Sequence, residues 1–282
     1  MMALILSLMF LEVMSTSTVN ADMKCLIMFV GYPRSAHSLV GALLDAHPNI
    51  AVAHEFDLLD QQSKRGFKSR SDLIDSIVNL SVLQANTGRM QSGYSYLVPG
   101  AWQGKAKAPL MAVGDKRGGA TSMRLHADWN QTVTLMSELQ RVSRTEQMKF
   151  VHVVRNPFDN IATMALLASV RWSYSTWHAQ RANATFVHPW RPQFSAAVDE
   201  YLTQAAANLK FADYIASKSC ILRNASIIHI DGAQLLREPD VVLEQLCQFM
   251  VVPFSRQWAD ASKRILFPSP FRVVTNCRGR KQ

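Results

Sequence analysis

Cys25-Leu-Ile-Met-Phe-Val-Gly-Tyr-Pro-Arg-Ser-Ala-His-Ser38 begins with an unbroken apolar run and turns polar after Gly31. A run with no polar alternation reads as a strand buried on both faces, the pattern of parallel sheets. Ser38 is placed to cap a helix over 39–44, and His47-Pro48 stops that helix before a second apolar run at 50–53. The local plan is therefore strand, loop, helix, strand. A loop between a buried strand and a helix N-terminus turns backbone amides toward one point, which suits an anion and above all a phosphate.

Further along, residues 61–104 are polar and weakly periodic, with one helix predicted near 71–83, and read as an excursion from the sheet where substrate specificity resides. A short strand over 110–113 runs into Gly114-Asp115-Lys116. Val133, Leu135, Met136 and Leu139 predict a helix over 129–142, and Lys149 to Val154 the next strand. Pro157 fits the first turn of a helix continuing to 168. A long helix over 194–217, a strand over 226–230 and a helix over 240–249 complete the series. Strands alternating with helices predict a three-layer α/β fold, a central parallel sheet with helices on both faces. Ligands of such sheets bind beyond the carboxyl ends of the strands, where Gly31, Lys116, Arg155 and Asp231 fall.

With 282 residues, 48% hydrophobic and 18% charged, the chain can bury one large core, read as a single domain over 23–282. Lys and Arg total 30 against 21 Asp and Glu, a net charge of +9 that attracts anionic partners. The basic residues are scattered and form no zinc-finger, RNA-binding or basic-zipper pattern, which argues against nucleic acid and leaves phosphorylated small ligands.

The ATP-binding phosphate loop, G-x-x-x-x-G-K-[ST], requires Gly and Lys where this chain has Ala36 and His37. That disfavours a nucleotide kinase or NTPase, which stays the alternative enzyme class. A second block, Phe150-Val-His-Val-Val-Arg-Asn-Pro-Phe-Asp-Asn-Ile-Ala-Thr163, delivers Arg155 from a strand end and Thr163 from the following helix, eight positions on. A guanidinium fork and a hydroxyl two turns later together suit phosphate oxygens. A third stretch, Leu44-Asp-Ala-His-Pro-Asn-Ile50, leads to His54 and Glu55, and a fourth, Val113-Gly-Asp-Lys-Arg-Gly-Gly119, carries Lys116 and Arg117.

Pro33-Arg34-Ser35-Ala36-His37-Ser38 resembles the 5′-phosphosulfate loop of the sulfotransferase superfamily, typically Pro-[Lys/Arg]-Ser-Gly-Thr-[Thr/Ser], with Ala36 and His37 departing from it. The second block resembles the family's 3′-phosphate segment, with Arg155 and Thr163 at the spacing of its Arg and Ser pair. The third is similar to the tyrosylprotein and carbohydrate branches more than to the cytosolic branch. The resemblance implies transfer of a sulfuryl group from 3′-phosphoadenosine 5′-phosphosulfate to a hydroxyl acceptor, a glycan or a protein tyrosine, without a metal. Within it, Pro33 to Ser38, Arg155, Thr163 and Arg272 would bind the donor. Glu55 would be the general base with His54 as runner-up, and Arg34 and Lys116, with Arg117 as a helper, would neutralise charge on the transferring group. A binding protein of the same fold without catalysis is the other alternative, motivated by Ala36 and His37. His126, His178, His188, Trp172, Trp177 and Trp190 are candidate acceptor-lining residues, although isolated aromatics more often pack.

Residues 1–14 are apolar except Ser7 and Glu12, and small or polar residues follow to Ala21, so that 1–22 reads as a signal-like segment or as an extra surface helix. It is too short to span a membrane. Four of the eleven Asn open glycosylation sequons, Asn79, Asn130, Asn183 and Asn224. The expected location is the secretory pathway, Golgi lumen or outside, with the cytoplasm as alternative. Cys25, Cys220, Cys247 and Cys277 lack metal-ligand spacing and read as thiols or at most two disulfides, with Cys25 and Cys247 favoured as buried thiols.

Overall fold

The computed structural model describes residues 23–91, 94–170, 190–217 and 219–266. The signal-like segment, Asn183, Trp172, Trp177, His178, His188, Arg272 and Cys277 lie outside them, as does the side chain of Trp190.

Five strands form the central sheet: β1 (Cys25–Gly31), β2 (Ile50–His54), β5 (Ala112–Lys116), β6 (Gln147–Val154) and β7 (Ala225–Asp231). Their order is β2-β5-β1-β6-β7, and every neighbouring pair is parallel. A separate two-stranded piece, β3 (Met90–Gln91) with β4 (Tyr94–Ser95), is antiparallel. The apolar run that opens the phosphate loop explains the layering. Cys25, Ile27 and Phe29 enter one core, while Leu26, Met28 and Val30 enter a second, and all six are buried. A strand with side chains alternating between two dry layers needs apolar residues at every position.

The first layer contains α1 (His37–Asp45), α9 (Pro239–Met250) and α10 (Arg256–Lys263), which supply Leu43, Leu243, Leu246 and Trp258. The opposite layer contains α2 (Leu58–Arg65), α3 (Arg70–Asn86), α5 (Trp129–Ser143) and α7 (Trp190–Ala216), which supply Leu58, Ile77, Met136 and Phe211. Ile161, Met164 and Ala165 of α6 (Pro157–Val170) pack on Ala197 of α7. The three-layer α/β reading holds. Cys25 and Cys247 are buried free thiols, and Cys220 is a free thiol too. Asn79, Asn130 and Asn224 are exposed. Among the described residues no helix is long and apolar enough to cross a membrane.

Several boundaries differ from the sequence expectation. The strand expected over 110–113 lies at Ala112–Lys116, because Gly114 permits close approach to β1: a Cβ there would stand 2.2 Å from the Ile27 carbonyl oxygen. Four of the described helices were not expected: α2, α4 (Gly118–Ala127), a short one over 232–237 and α10, with α4 opening on Gly118-Gly119, residues of poor helix propensity. Ser38 is not the cap of α1. The helix starts at His37, and Ala36 stands at the cap position in a left-handed conformation, φ 76, offering no side-chain hydrogen bond. Asp231 does end a strand, but its carboxylate accepts from Ala233 N at 2.8 Å and caps the short helix α8 (Gly232–Arg237).

β2 is an outer strand whose end is closed by a side chain. His54 N donates to Gln84 Oε1 at 2.8 Å, and Gln84 Nε2 donates to His54 O at 2.5 Å.

Candidate active site

The strand order puts the loop after β1 between the ends of β5 and β6, so Lys116 stands on one side of it and Arg155 on the other. The loop is held from below and from the side. Gly31 N donates to Ser122 Oγ of α4 at 2.8 Å, and Asn160 Nδ2 of α6 donates to Pro33 O at 2.9 Å. Ser35 is fully buried, and its hydroxyl donates inward to Tyr32 O at 3.0 Å. Arg34 and Ala36 both take left-handed φ values, 68 and 76, which non-glycine residues adopt at a cost of about 1–2 kcal/mol each. Leu39 N already donates to Ala36 O at 2.9 Å, but the amides of His37 and Ser38, with no side-chain cap at Ala36, remain donors for an anion.

Arg155 Nη1 lies 3.4 Å from Arg34 O and 3.5 Å from Thr163 Oγ1, while the Thr163 hydroxyl donates to Asp159 O at 2.7 Å. α6 begins with Pro157 after Asn156, whose Oδ1 accepts from Phe158 N at 2.9 Å. The two phosphate-binding blocks proposed from sequence therefore meet at one edge of the loop, and Arg155 is exposed there.

On the other side, Lys116 Nζ donates to Ser38 Oγ at 3.0 Å and to the Glu55 carboxylate. Arg117 Nη1 bonds the second oxygen of Glu55, and Arg117 Nε lies 3.7 Å from Asp57. Glu55 follows β2 in the chain, and its amide still donates to Lys116 O at 3.3 Å, so the pairing of β2 with β5 carries the carboxylate to the lysine. Burial alone would raise the Glu55 carboxyl, but Lys116 and Arg117 outweigh it and hold the group below its ordinary value. Burial lowers the Lys116 ammonium, and Glu55 opposes that shift. The lysine fits because α1 carries Gly41 where it crosses: a Cβ at Gly41 would stand 2.6 Å from Lys116 Cγ.

His37 is buried, and its Nδ1 has no hydrogen-bond partner among the described residues. Burial and then neighbouring cations, Lys116 foremost, hold it well below its ordinary value, so it is a neutral imidazole. It stands close to α4, since a Cβ on Gly118 would lie 3.2 Å from its Nδ1. Burial lowers His54 to about 3, leaving it neutral as well. His126 is exposed near the end of α4.

Arg34, Ser38, Glu55, Lys116, Arg155 and Thr163 thus gather around one loop. Sequence reasoning passed over Asp115, whose carboxylate binds backbone amides beside Glu55, and over Asn160, which ties α6 to Pro33. Both lie inside stretches singled out for their neighbours. An acid between Gly114 and Lys116, and a second Asn after the Asn-Pro turn, were the available signals. Among the described residues no three or more His, Cys, Asp or Glu are grouped to hold a metal ion. What the arrangement can do is bind a polyanionic donor against one helix N-terminus and several cations, with a carboxylate close by.

Three solved structures resemble the chain. The sulfotransferase domain from the Synechococcus PCC 7002 olefin synthase is 16% identical, with 88% of this chain and 82% of that chain covered at a TM-score of 0.47. For the sulfotransferase domain from the curacin biosynthetic pathway the figures are 15%, 85%, 77% and 0.45. For sulfotransferase STF9 from Mycobacterium avium they are 11%, 86%, 67% and 0.43. No curated protein matches the sequence. The sequence of residues 27–256, which spans the phosphate loop, Glu55, Lys116, Arg155 and Thr163, matches that of the Sulfotransferase family, and the chain belongs to it.

Proposed function

We propose that the chain transfers a sulfuryl group from 3′-phosphoadenosine 5′-phosphosulfate to a hydroxyl of a carbohydrate or a peptidyl tyrosine. The observation that carries this reading is the meeting of Arg155, Thr163 and the Arg34 carbonyl at the edge of an uncapped helix N-terminus. A nucleotide with a phosphate at each end of its ribose needs two anion sites, and the loop and the Arg155–Thr163 edge are two such sites on adjoining strand ends. The buried His37 Nδ1, which lacks a partner among the described residues, agrees with a loop built around a polar ligand. The donor, when bound, supplies the sulfuryl group and leaves as a bisphosphate.

The residues of the chain do the rest by holding charge and a proton. The amides of 36–38 and the Arg34 guanidinium bind the 5′ anion, and Arg155 and Thr163 the 3′ phosphate. Lys116, fixed by Ser38 and Glu55, keeps a positive charge beside the loop where negative charge grows during transfer. Glu55 is ionised, since its carboxyl is held below the ordinary range, and takes the proton of the acceptor hydroxyl. Transfer of this kind depends mainly on in-line placement and charge stabilisation.

The test joins calorimetry with adenosine 3′,5′-bisphosphate to a radiolabelled-sulfate transfer assay over sugar, phenol and tyrosyl-peptide acceptors. Arg155→Ala is expected to weaken nucleotide binding by about 1.5–3 kcal/mol, roughly tenfold to a hundredfold. Glu55→Gln is expected to lower turnover by about 10²–10⁴ with nucleotide affinity kept. Full transfer activity in both Arg34→Ala and Arg155→Ala proteins overturns the reading, and nucleotide binding without transfer to any acceptor class would favour a non-catalytic nucleotide-binding protein.

A further inference from the structure

Beyond β2 the chain makes a turn that its residues do not favour. Glu55 and Asp57 take φ values of 62 and 61, a left-handed conformation that non-glycine residues avoid. Such strain persists where the surroundings over-determine it. Here the determinant is one carboxylate on the neighbouring strand. Asp115 Oδ1 accepts from Phe56 N at 2.9 Å, and its Oδ2 accepts from Asp57 N at 2.8 Å and from Leu58 N at 3.3 Å. Three successive amides of the turn therefore point at a side chain that is 3% exposed. The next residue of β5 is Lys116, which binds the Glu55 carboxylate itself.

We propose that Asp115 is a positioning residue for the transfer reaction: by gathering the amides of Phe56, Asp57 and Leu58 it fixes the turn that holds the Glu55 carboxylate against Lys116 and Arg117. The inference rests on the reading of Glu55 as the base. The hydrogen bonds of Asp115 go to backbone amides of the turn, and through them it acts on Glu55. Burial pushes its carboxyl up to about 6 against the pull of the Phe56 and Leu58 amides, so the carboxylate is kept in an unfavourable setting for the sake of those contacts. The charged groups bearing on it are Lys116 and Glu55, together with Arg89. The phosphate loop is held separately by Ser122 and Asn160, so loss of Asp115 leaves donor binding intact.

Asp115→Asn keeps the shape and turns an NH₂ or a single carbonyl toward three N–H donors. Turnover is expected to fall about 100-fold through misplacement of Glu55, while affinity for adenosine 3′,5′-bisphosphate stays unchanged. Carbon-13 titration of the Glu55 carboxyl, assigned by its loss in Glu55→Gln, is expected to move up toward the ordinary glutamate value in Asp115→Asn. A folded Asp115→Asn protein with the Glu55 titration of the parent overturns the proposal, whatever its activity. Should that variant fail to fold, the parent protein decides. The amide resonances of Phe56, Asp57 and Leu58 are expected to shift together as Asp115 titrates, with the Glu55 carboxyl inflecting at the same pH, and a Glu55 signal without that inflection refutes the coupling. These titrations need no substrate, so a failure of sulfuryl transfer is told apart from a failure of the Asp115 assignment.

Discussion

At Gly41 the absence of a side chain is what seats the central cation. Lys116 runs through the space beside α1, and a methyl group there would meet its Cγ and Cβ at 2.6 and 2.9 Å. Gly41→Ala is therefore expected to push Nζ off Ser38 and Glu55 and to cut turnover about 100-fold. Fold stability should fall as well, by about 1–3 kcal/mol, because the clash is with the near end of a fully buried side chain and exceeds the gain in helix propensity. Parallel turnover and thermal-melt measurements check this, and unchanged turnover would remove Gly41 from the site. Ala36 is the opposite case. Its left-handed backbone is one that glycine adopts freely and alanine only at a cost, so Ala36 stores strain in the loop.

α1, β2 and α3 are joined by a buried ion pair. Asp45, at the end of α1, accepts from Val52 N of β2 and Ser81 Oγ of α3, each at 2.7 Å, and pairs with Arg89. The Arg89 guanidinium also reaches Val52 O at 3.1 Å, and both side chains are fully buried. The Leu44 to Ile50 stretch, read from sequence for its family likeness, is thus a junction of helix, strand and excursion. Arg89→Met leaves a buried carboxylate without its cation and is expected to destabilise the fold by about 3–5 kcal/mol, measured by urea unfolding. Asp45→Asn together with Arg89→Met should recover part of that loss, and additive losses would contradict a coupled pair. The same physics explains what was legible in the sequence. Strands β1, β2 and β6 show as apolar runs because both their faces are dry, Arg155, Glu55 and Lys116 show because charged groups at strand ends stand out, and Thr163 shows by its spacing from Arg155 on the following helix. α4 was hidden by its opening glycines, and α2 by a charged outer face with only Leu58 and Leu59 buried. Asp115, Asn160 and Gly41 were hidden because what they meet, backbone amides, a carbonyl or a lysine stem, comes from elsewhere in the chain.

Across the whole molecule, buried imidazoles make stability depend on pH. Burial lowers His47 and His152 to about 4 and His54 to about 3, against an ordinary value of 6.5. Between those values the unfolded chain binds more protons than the native one, so stability is fully present above 6.5 and is lost as pH falls toward 4. A tenfold difference in proton affinity between the folded and unfolded chain is worth about 1.4 kcal/mol. The imidazoles, His37 among them, act against the carboxyls of Asp115, raised by burial to about 6, and of Asp45 and Asp75, which burial also raises. Calorimetry should show the melting temperature falling from pH 7 to pH 5, less steeply in His47→Asn, and a flat profile would refute the linkage. The Gln84 side chain at the rim of β2 bears on how the molecule meets its own copies. An outer strand with a bare N–H and C=O invites another chain to extend the sheet, and the amide of Gln84 occupies both groups of His54 as a neighbouring peptide would. Sheet extension at that edge would have to displace Gln84 from His54, one residue from Glu55, and Asp45 and Arg89 from Val52, so side chains rather than a further strand complete the edge beside the carboxylate.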